Sequence, residues 1–372
     1  MNTHTIKFQN LLFLVIPILV FSNLIFAWQK ADFLTPDSLD YIKLAKSLPK
    51  IENSLFPIFY PLILKICNFF FDNYTVTYKI VNIVSLLFCF LYTLKKDFFW
   101  REIWTILAFP SFQFVYMFGW SENIILPLLI IYFHITYLFF NGKLTYQEYI
   151  IGSTTILFLL ILTKYNSVFF LLGGVLFSVL YYRKRNYFYV FGSSLLAGLL
   201  FAFYLLFNKY ITGDFTGERS SLDLVKLNFS KYISLSKYQI FPTIEPYGFS
   251  LIKIKELHYI SGIWQLPYII SILIFALVCV IVLKLKSKKF SPMTVFGFIL
   301  SFTFLLFTLF SAFYTKIDLL GPRLLLGFSF PLLFSICLFL KDNNVKINTQ
   351  ILIIVGTSSS LFYTITCFIY GF

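Results

Sequence analysis

The segment Thr35-Pro36-Asp37-Ser38-Leu39-Asp40-Tyr41 is the centre of the first long polar interruption, residues 29–71, which follows an apolar run from Leu11 to Ala27. A second proline cluster, Phe56-Pro57-Ile58-Phe59-Tyr60-Pro61, lies towards its far end. Thr35 can cap a helix whose first position is Pro36, because proline there lacks an N–H the helix does not use, and the threonine oxygen meets a free backbone donor. The spacing predicts a short helix starting at Pro36. Tyr41, Leu44, Ala45 and Leu48 recur at helical intervals, with Asp37 on that same apolar face and Asp40, Lys43 and Ser47 on a polar one. Two explanations stand for a carboxylate on the apolar side of a helix at a membrane surface. It is either a helix-start anion favoured by the dipole, or a paired or working group whose role offsets its desolvation.

Around this stretch the chain of 372 residues is 59% hydrophobic, 22% aromatic and only 12% charged, too apolar to hide its surface in one water-soluble core. It reads as an all-α polytopic membrane protein. The net charge of +14 fits basic loops at an anionic membrane and an anionic lipid substrate, with membrane lipids rather than nucleic acid as partners. Cys67, Cys89, Cys279, Cys337 and Cys367 all lie in apolar runs, without CxxC spacing or a histidine partner, and so read as small packing residues rather than disulfide or zinc ligands. The opening apolar run exceeds a signal-peptide core and lacks a small-residue cleavage site, which makes it a membrane anchor.

Hydropathy predicts about 11 transmembrane helices. Leu11 to Ala27 is the first; the others lie near 75–94, 103–119, 122–140, 148–163, 167–182, 187–207, 263–283, 292–313, 324–340 and 350–370. Leu62 to Phe71 is too short to cross a bilayer and reads as an interfacial helix within the first loop. With Lys7 placing the N-terminus in the cytoplasm, alternate loops hold Lys95, Lys96, Arg101, Lys143, Arg183, Lys184, Arg185, Lys284, Lys286, Lys288, Lys289, Lys341 and Lys346. That bias marks them as the inner face. The outer face then receives residues 29–71, the turns at Ser121 and Lys164, the segment 208–262 and the turn 315–323. Three units follow: an N-terminal membrane module, 1–207, carrying the outer loop 29–71; an outer segment, 208–262; and C-terminal helices, 263–372. Leu222, Val225 and Phe229, alternating with Asp223, Lys226 and Ser230, predict an amphipathic helix in the outer segment.

Ionisable groups at the outer boundary carry the functional information, since holding them there costs free energy. In Gly119-Trp120-Ser121-Glu122-Asn123, Ser121 can cap the following helix and Glu122 sits at its positive end; Glu122 is either part of that cap or a carboxylate working beside Asp37. Lys164, in Thr163-Lys164-Tyr165-Asn166, is either a dipole-favoured cation that snorkels to water or a ligand for a lipid phosphate. Gly321-Pro322 marks a helix start and puts Arg323 in the first turn, where its charge opposes the dipole. A bound phosphate explains that arginine, and so does an ion pair with a residue such as Asp318. Arg219 and His258 lie on the outer segment, either as solvated loop residues or as further site residues. His134 stands alone within a span. No P-loop, GxSxG, HExxH or GxGxxG motif occurs.

Together these outer-face motifs resemble the GT-C superfamily of integral-membrane glycosyltransferases, which take a sugar from a polyprenyl-phosphate carrier at the outer or luminal face. The likeness is to the protein O-mannosyltransferase and lipid A aminoarabinose-transferase branch. It rests on Pro36-Asp37-Ser38-Leu39-Asp40-Tyr41 with Ala45, Pro57-Ile58-Phe59-Tyr60-Pro61-Leu62, Gly119-Trp120-Ser121-Glu122-Asn123, and Gly321-Pro322-Arg323 with Pro331. The resemblance implies a GT-C-like fold with Asp37 as the catalytic residue. Lys164 and Arg323 would then hold the carrier phosphate. Asp40, Tyr60 and Glu122, and from the unmatched outer segment Arg219 and His258, are further substrate-binding candidates.

On that reading the protein is an inverting glycosyltransferase with its active site on the outer face, in a bacterial cytoplasmic membrane. The donor would be a polyprenyl-phosphate-linked sugar, and the acceptor a lipid, a glycan or a protein. Asp37 and Glu122 are the carboxylates open to a divalent metal, although no ligand spacing requires one. An O-antigen-type polymerase or ligase would instead rest on Arg219 and His258. A flippase or transporter for lipid-linked sugar would call for paired halves and mid-membrane charges, and neither pattern occurs here.

Overall fold

The computed structural model describes residues 10–51, 56–181, 185–216, 240, 243, 244, 246, 290–314, 321–343 and 349–370. The expected span 263–283 and the expected amphipathic helix near 222–230 lie outside the described residues, as do Arg219, His258 and Asp318. The chain forms α1 (Val15–Lys30), α2 (Pro36–Ser47), α3 (Phe59–Phe71), α4 (Tyr74–Lys95), α5 (Trp100–Leu107), α6 (Pro110–Met117), α7 (Glu122–Phe140), α8 (Tyr146–Thr163), α9 (Val168–Leu180), α10 (Arg185–Thr212), α11 (Pro292–Tyr314), α12 (Pro322–Asp342) and α13 (Thr349–Tyr370). No strand occurs among the described residues.

Seven helices among the described residues are long and apolar enough to cross a membrane: Asn10–Gln29, Tyr74–Lys95, Glu122–Phe140, Tyr146–Thr163, Tyr187–Thr212, Pro292–Ser311 and Pro322–Asp342. These helices and the shorter apolar ones packed with them are greasy on the outside. Ile18, Phe69, Phe70, Leu180, Phe203 and Ile354 are exposed, whereas Asn23, Asn82, Gln113, Glu122 and Asn123 are buried. This is the distribution a hydrocarbon solvent selects, and the protein is an all-α integral membrane protein.

The expected span 103–119 is not one helix. It is the pair α5 and α6, eight residues each, broken at Ala108-Phe109 because Pro110 supplies no N–H and starts a new helix. A break within a membrane bundle leaves backbone groups that lipid cannot satisfy, and polar side chains satisfy them here. The Ala108 carbonyl accepts from Gln113 Nε2 at 2.5 Å and from Ser359 Oγ at 3.1 Å. Asn23 Nδ2 donates to Gln113 Oε1 at 2.8 Å and to the Ser360 carbonyl at 3.1 Å, and Thr364 donates to Asn23 Oδ1 at 2.6 Å. α1, α6 and α13 are thereby tied into one polar knot.

Elsewhere the packing is sequential. α7 lies on α8, α8 on α10, α10 on α9, α9 on α11 and α11 on α12, while α13 returns to α1. Close approach is set by small residues, as expected where lipid offers no hydrophobic drive between helices. A Cβ at Gly173 would sit 2.7 Å from the Leu300 side chain and 3.2 Å from its Cα, and one at Gly327 would meet the Phe304 ring at 2.5 Å. α10 reaches Thr212, past the expected boundary at 207.

The polar knot should be worth stability. Asn23→Ala strips Gln113 and Thr364 of partners, and an unfolding midpoint in detergent should report a loss of about 2 kcal/mol.

Candidate functional site

Helix α2 forms as its sequence requires. Pro36 is the first helical residue, and Thr35, in extended conformation, accepts from Ser38 N at 3.3 Å. Tyr41, Leu44 and Ala45 are buried against α3, and Asp37 is half-buried on the same side. Tyr41 meets Phe56 at 4.4 Å and Tyr60 edge-on at 5.0 Å between ring centroids. α2 is thus clamped across the mouth of the bundle with Asp37 directed towards the start of α12.

Four ionisable side chains from four separate segments converge there. Arg323 Nη1 pairs with Asp37 Oδ2, Lys164 Nζ pairs with Glu122 Oε1, and Arg323 Nε stands 3.6 Å from that same Glu122 oxygen. Arg323 therefore links two carboxylates, and the set carries two positive and two negative charges. Side-chain exposure is graded: 2% for Glu122, 17% for Lys164, 18% for Arg323 and 22% for Asp37. Glu122 is sealed beneath, and the other three reach the surface. Burial holds the Lys164 ammonium below its usual pKa, with the Glu122 carboxylate opposing the shift.

Each charge sits at a helix end. Lys164 is the C-cap of α8, where a cation is favourable, and Glu122 opens α7, where an anion is. Gly321 and Pro322 start α12 as expected, so Arg323 stands against the dipole, and the two carboxylates offset that cost. The observed partners of Arg323 are Asp37 and Glu122.

An aromatic and hydroxyl shell fixes the cluster, and most of it was not legible as site chemistry. Trp120 lies under the Arg323 guanidinium at 5.1 Å, stacks on Phe118 at 4.1 Å and donates from Nε1 to Thr35 Oγ1 at 2.8 Å. The threonine that caps α2 is thereby tied to the turn that holds Glu122. Ser121, expected as a cap, is already helical in backbone and makes no capping bond; its Oγ meets Tyr41 OH at 2.8 Å and donates to Glu122 Oε2 at 3.3 Å. Burial, and after it the Glu122 carboxylate, push the Tyr41 hydroxyl well above its usual range, which leaves it a neutral phenol. Below the turn, Asn123 Nδ2 donates to Asn82 Oδ1 and to the Phe118 carbonyl, both at 2.8 Å, locking α7 to α4.

Of the sequence candidates, Asp37, Glu122, Lys164 and Arg323 come together. Asp40 points from the exposed face of α2, where partial burial and the nearby Asp37 raise its pKa. Tyr60 is fully buried and supports Tyr41 rather than facing the cluster's open side. His134 bonds Tyr92 OH through Nδ1 at 2.7 Å. Among the described residues no group of three His, Cys, Asp or Glu side chains is arranged for a metal, and the Asp37 and Glu122 carboxylates already answer two cations. That donor set does not fit a divalent ion. Comparisons with protein-family models, curated proteins and solved structures find no match.

Removing the sealed anion should cost more than removing the pair. Glu122→Ala leaves Lys164 and Arg323 facing one another and should lower unfolding stability by about 3 kcal/mol, while Lys164→Met added to it should restore part of that in a double-mutant cycle.

Proposed function

We propose that the protein is a glycosyltransferase that moves a sugar from a polyprenyl-phosphate donor to an acceptor hydroxyl or amine at the outer membrane face. One observation carries this reading. Two cations that can hold a phosphodiester and a carboxylate that can take a proton share one partly open site built from distant parts of the chain. An ion-pair set with no ligand would be an expensive way to close a helix bundle, since burying such charges seldom repays their desolvation.

In this mechanism the donor's phosphate approaches Arg323 and Lys164 and competes with Asp37 for the guanidinium. Asp37, released from Arg323, accepts the proton of the acceptor as its oxygen or nitrogen attacks the anomeric carbon. The bond from that carbon to the phosphate oxygen breaks with inversion, and the polyprenyl phosphate leaves with its added charge on Arg323 and Lys164. Glu122 is too buried to meet a sugar; its part is to hold both cations in place. Trp120 holds the guanidinium from below.

The test is transfer from a panel of radiolabelled polyprenyl-phosphate sugars by purified protein in liposomes. Asp37→Asn should abolish transfer with membrane insertion intact, and Asp40→Asn should retain most activity. Full activity in Asp37→Asn removes Asp37 as base, and lipid-linked sugar changing leaflets without transfer overturns the enzyme reading. A pH series adds a second check. The phosphodiester keeps one negative charge across the range, so donor binding follows protonated Lys164: strong below its lowered pKa and lost as pH rises through it. The donor KM should therefore climb at a lower pH than an exposed lysine would give, and Lys164→Arg should move that climb upwards.

A further inference from the structure

At the opposite end of the bundle from Asp37 lies a cavity of about 310 Å³ lined by Asp97, Phe99, Trp100, Arg101, Glu102, Tyr137 and Lys341. It is made by helix ends: the α4–α5 loop, the first turn of α5, the last turns of α7 and the end of α12. Lys95, Lys96 and Lys143 share this end, which is the face the charge bias assigns to the cytoplasm. Asp97 and Phe99 both adopt left-handed backbone, φ 46° and 45°.

The charges here behave unlike those of the outer cluster. Two carboxylates and two cations line one cavity, yet among the described residues no ion pair joins any of them to another. Arg101 is held instead by neutral groups, its Nη1 donating to Thr349 Oγ1 at 3.2 Å and its Nη2 to Asn10 Oδ1, while its buried Nε has no acceptor. Lys341 stands 4.1 Å from the Phe99 centroid, and the Arg101 guanidinium 5.4 Å from that of Trp100. Groups of both signs are thus kept apart around open space.

We infer that this cavity binds the zwitterionic headgroup of a membrane phospholipid, with the phosphate on Arg101 and Lys341 and the ammonium on Asp97 and Glu102. A ligand of one sign would satisfy half the lining and be repelled by the other half; a headgroup with both satisfies all four. The charge of Arg101, held by neutral partners only, remains open to a phosphate at the cavity wall. A primary ammonium can give N–H bonds to both carboxylates, which a quaternary ammonium, having no N–H, cannot. Ethanolamine is therefore favoured over choline. The aromatic walls suit the depth at which headgroups lie.

The test is native mass spectrometry of lipid retention. Purified protein is exchanged into equimolar phosphatidylethanolamine, phosphatidylcholine and phosphatidylglycerol of matched acyl chains, with inorganic phosphate added in a parallel arm. Phosphatidylethanolamine should be retained about tenfold over the others and should not be displaced by phosphate. Asp97→Asn with Glu102→Gln should erase that preference, and Lys341→Gln should weaken retention of all three lipids. Arg101 ties Asn10, ahead of α1, to Thr349 at the start of α13, so Lys341 is the safer probe of the phosphate side. Equal retention of the three lipids by the wild-type protein, an unchanged preference in the double variant, or displacement by inorganic phosphate would each overturn the proposal.

Discussion

A charge inside a low-dielectric bundle has to be answered by another charge, and the end of this protein that carries Asp37 is arranged around that requirement. Arg323 stands where the α12 dipole opposes it, and it is tolerable there because Asp37 and Glu122 face it. Because Asp37 belongs to a short helix that crosses no membrane, that pairing also fixes where α2 rests. Glu122 in turn requires Lys164, which draws the end of α8 to the start of α7. The positions of four chain segments thus follow from one neutralisation.

The hydroxyls and rings around the cluster make it rigid rather than merely neutral. Trp120 couples the guanidinium to the cap of α2 through Thr35, and Tyr41 couples the buried face of α2 to Glu122 through Ser121. The guanidinium thus sits in a frame held from two sides. Under the proposed transfer, that frame would leave the cluster little to reorient at the moment of reaction.

Much of the Asp37 end was legible in the sequence because its signals are local. Thr35-Pro36 and Gly321-Pro322 announce helix starts by proline chemistry, and alternation of basic loops assigns Asp37, Glu122, Lys164 and Arg323 to one face. Partner choice was not legible. Nothing in local spacing says that Arg323 meets Asp37, 286 positions away. Residues 103–119 misled for a different reason: a hydropathy window averages across Phe109-Pro110 and returns one apolar segment where the backbone makes two short helices. Ser121 looked like a cap because serine often is one, but a better offer from Tyr41 and Glu122 engaged its hydroxyl. The cavity beside Arg101 and Lys341 had no sequence signature at all, since its lining comes from ends of elements that only the packing brings together.

The knot joining Asn23, Gln113, Ser360 and Thr364 carries a consequence for biosynthesis. Asn23 sits in α1, yet one of its partners lies 337 residues further along and is made much later. Until α13 is synthesised, that amide has Gln113 alone among these partners, and the Ala108 carbonyl has the Gln113 amide without Ser359. The knot is therefore half-made once α6 is in place and is filled only when α13 packs beside α1 and α6.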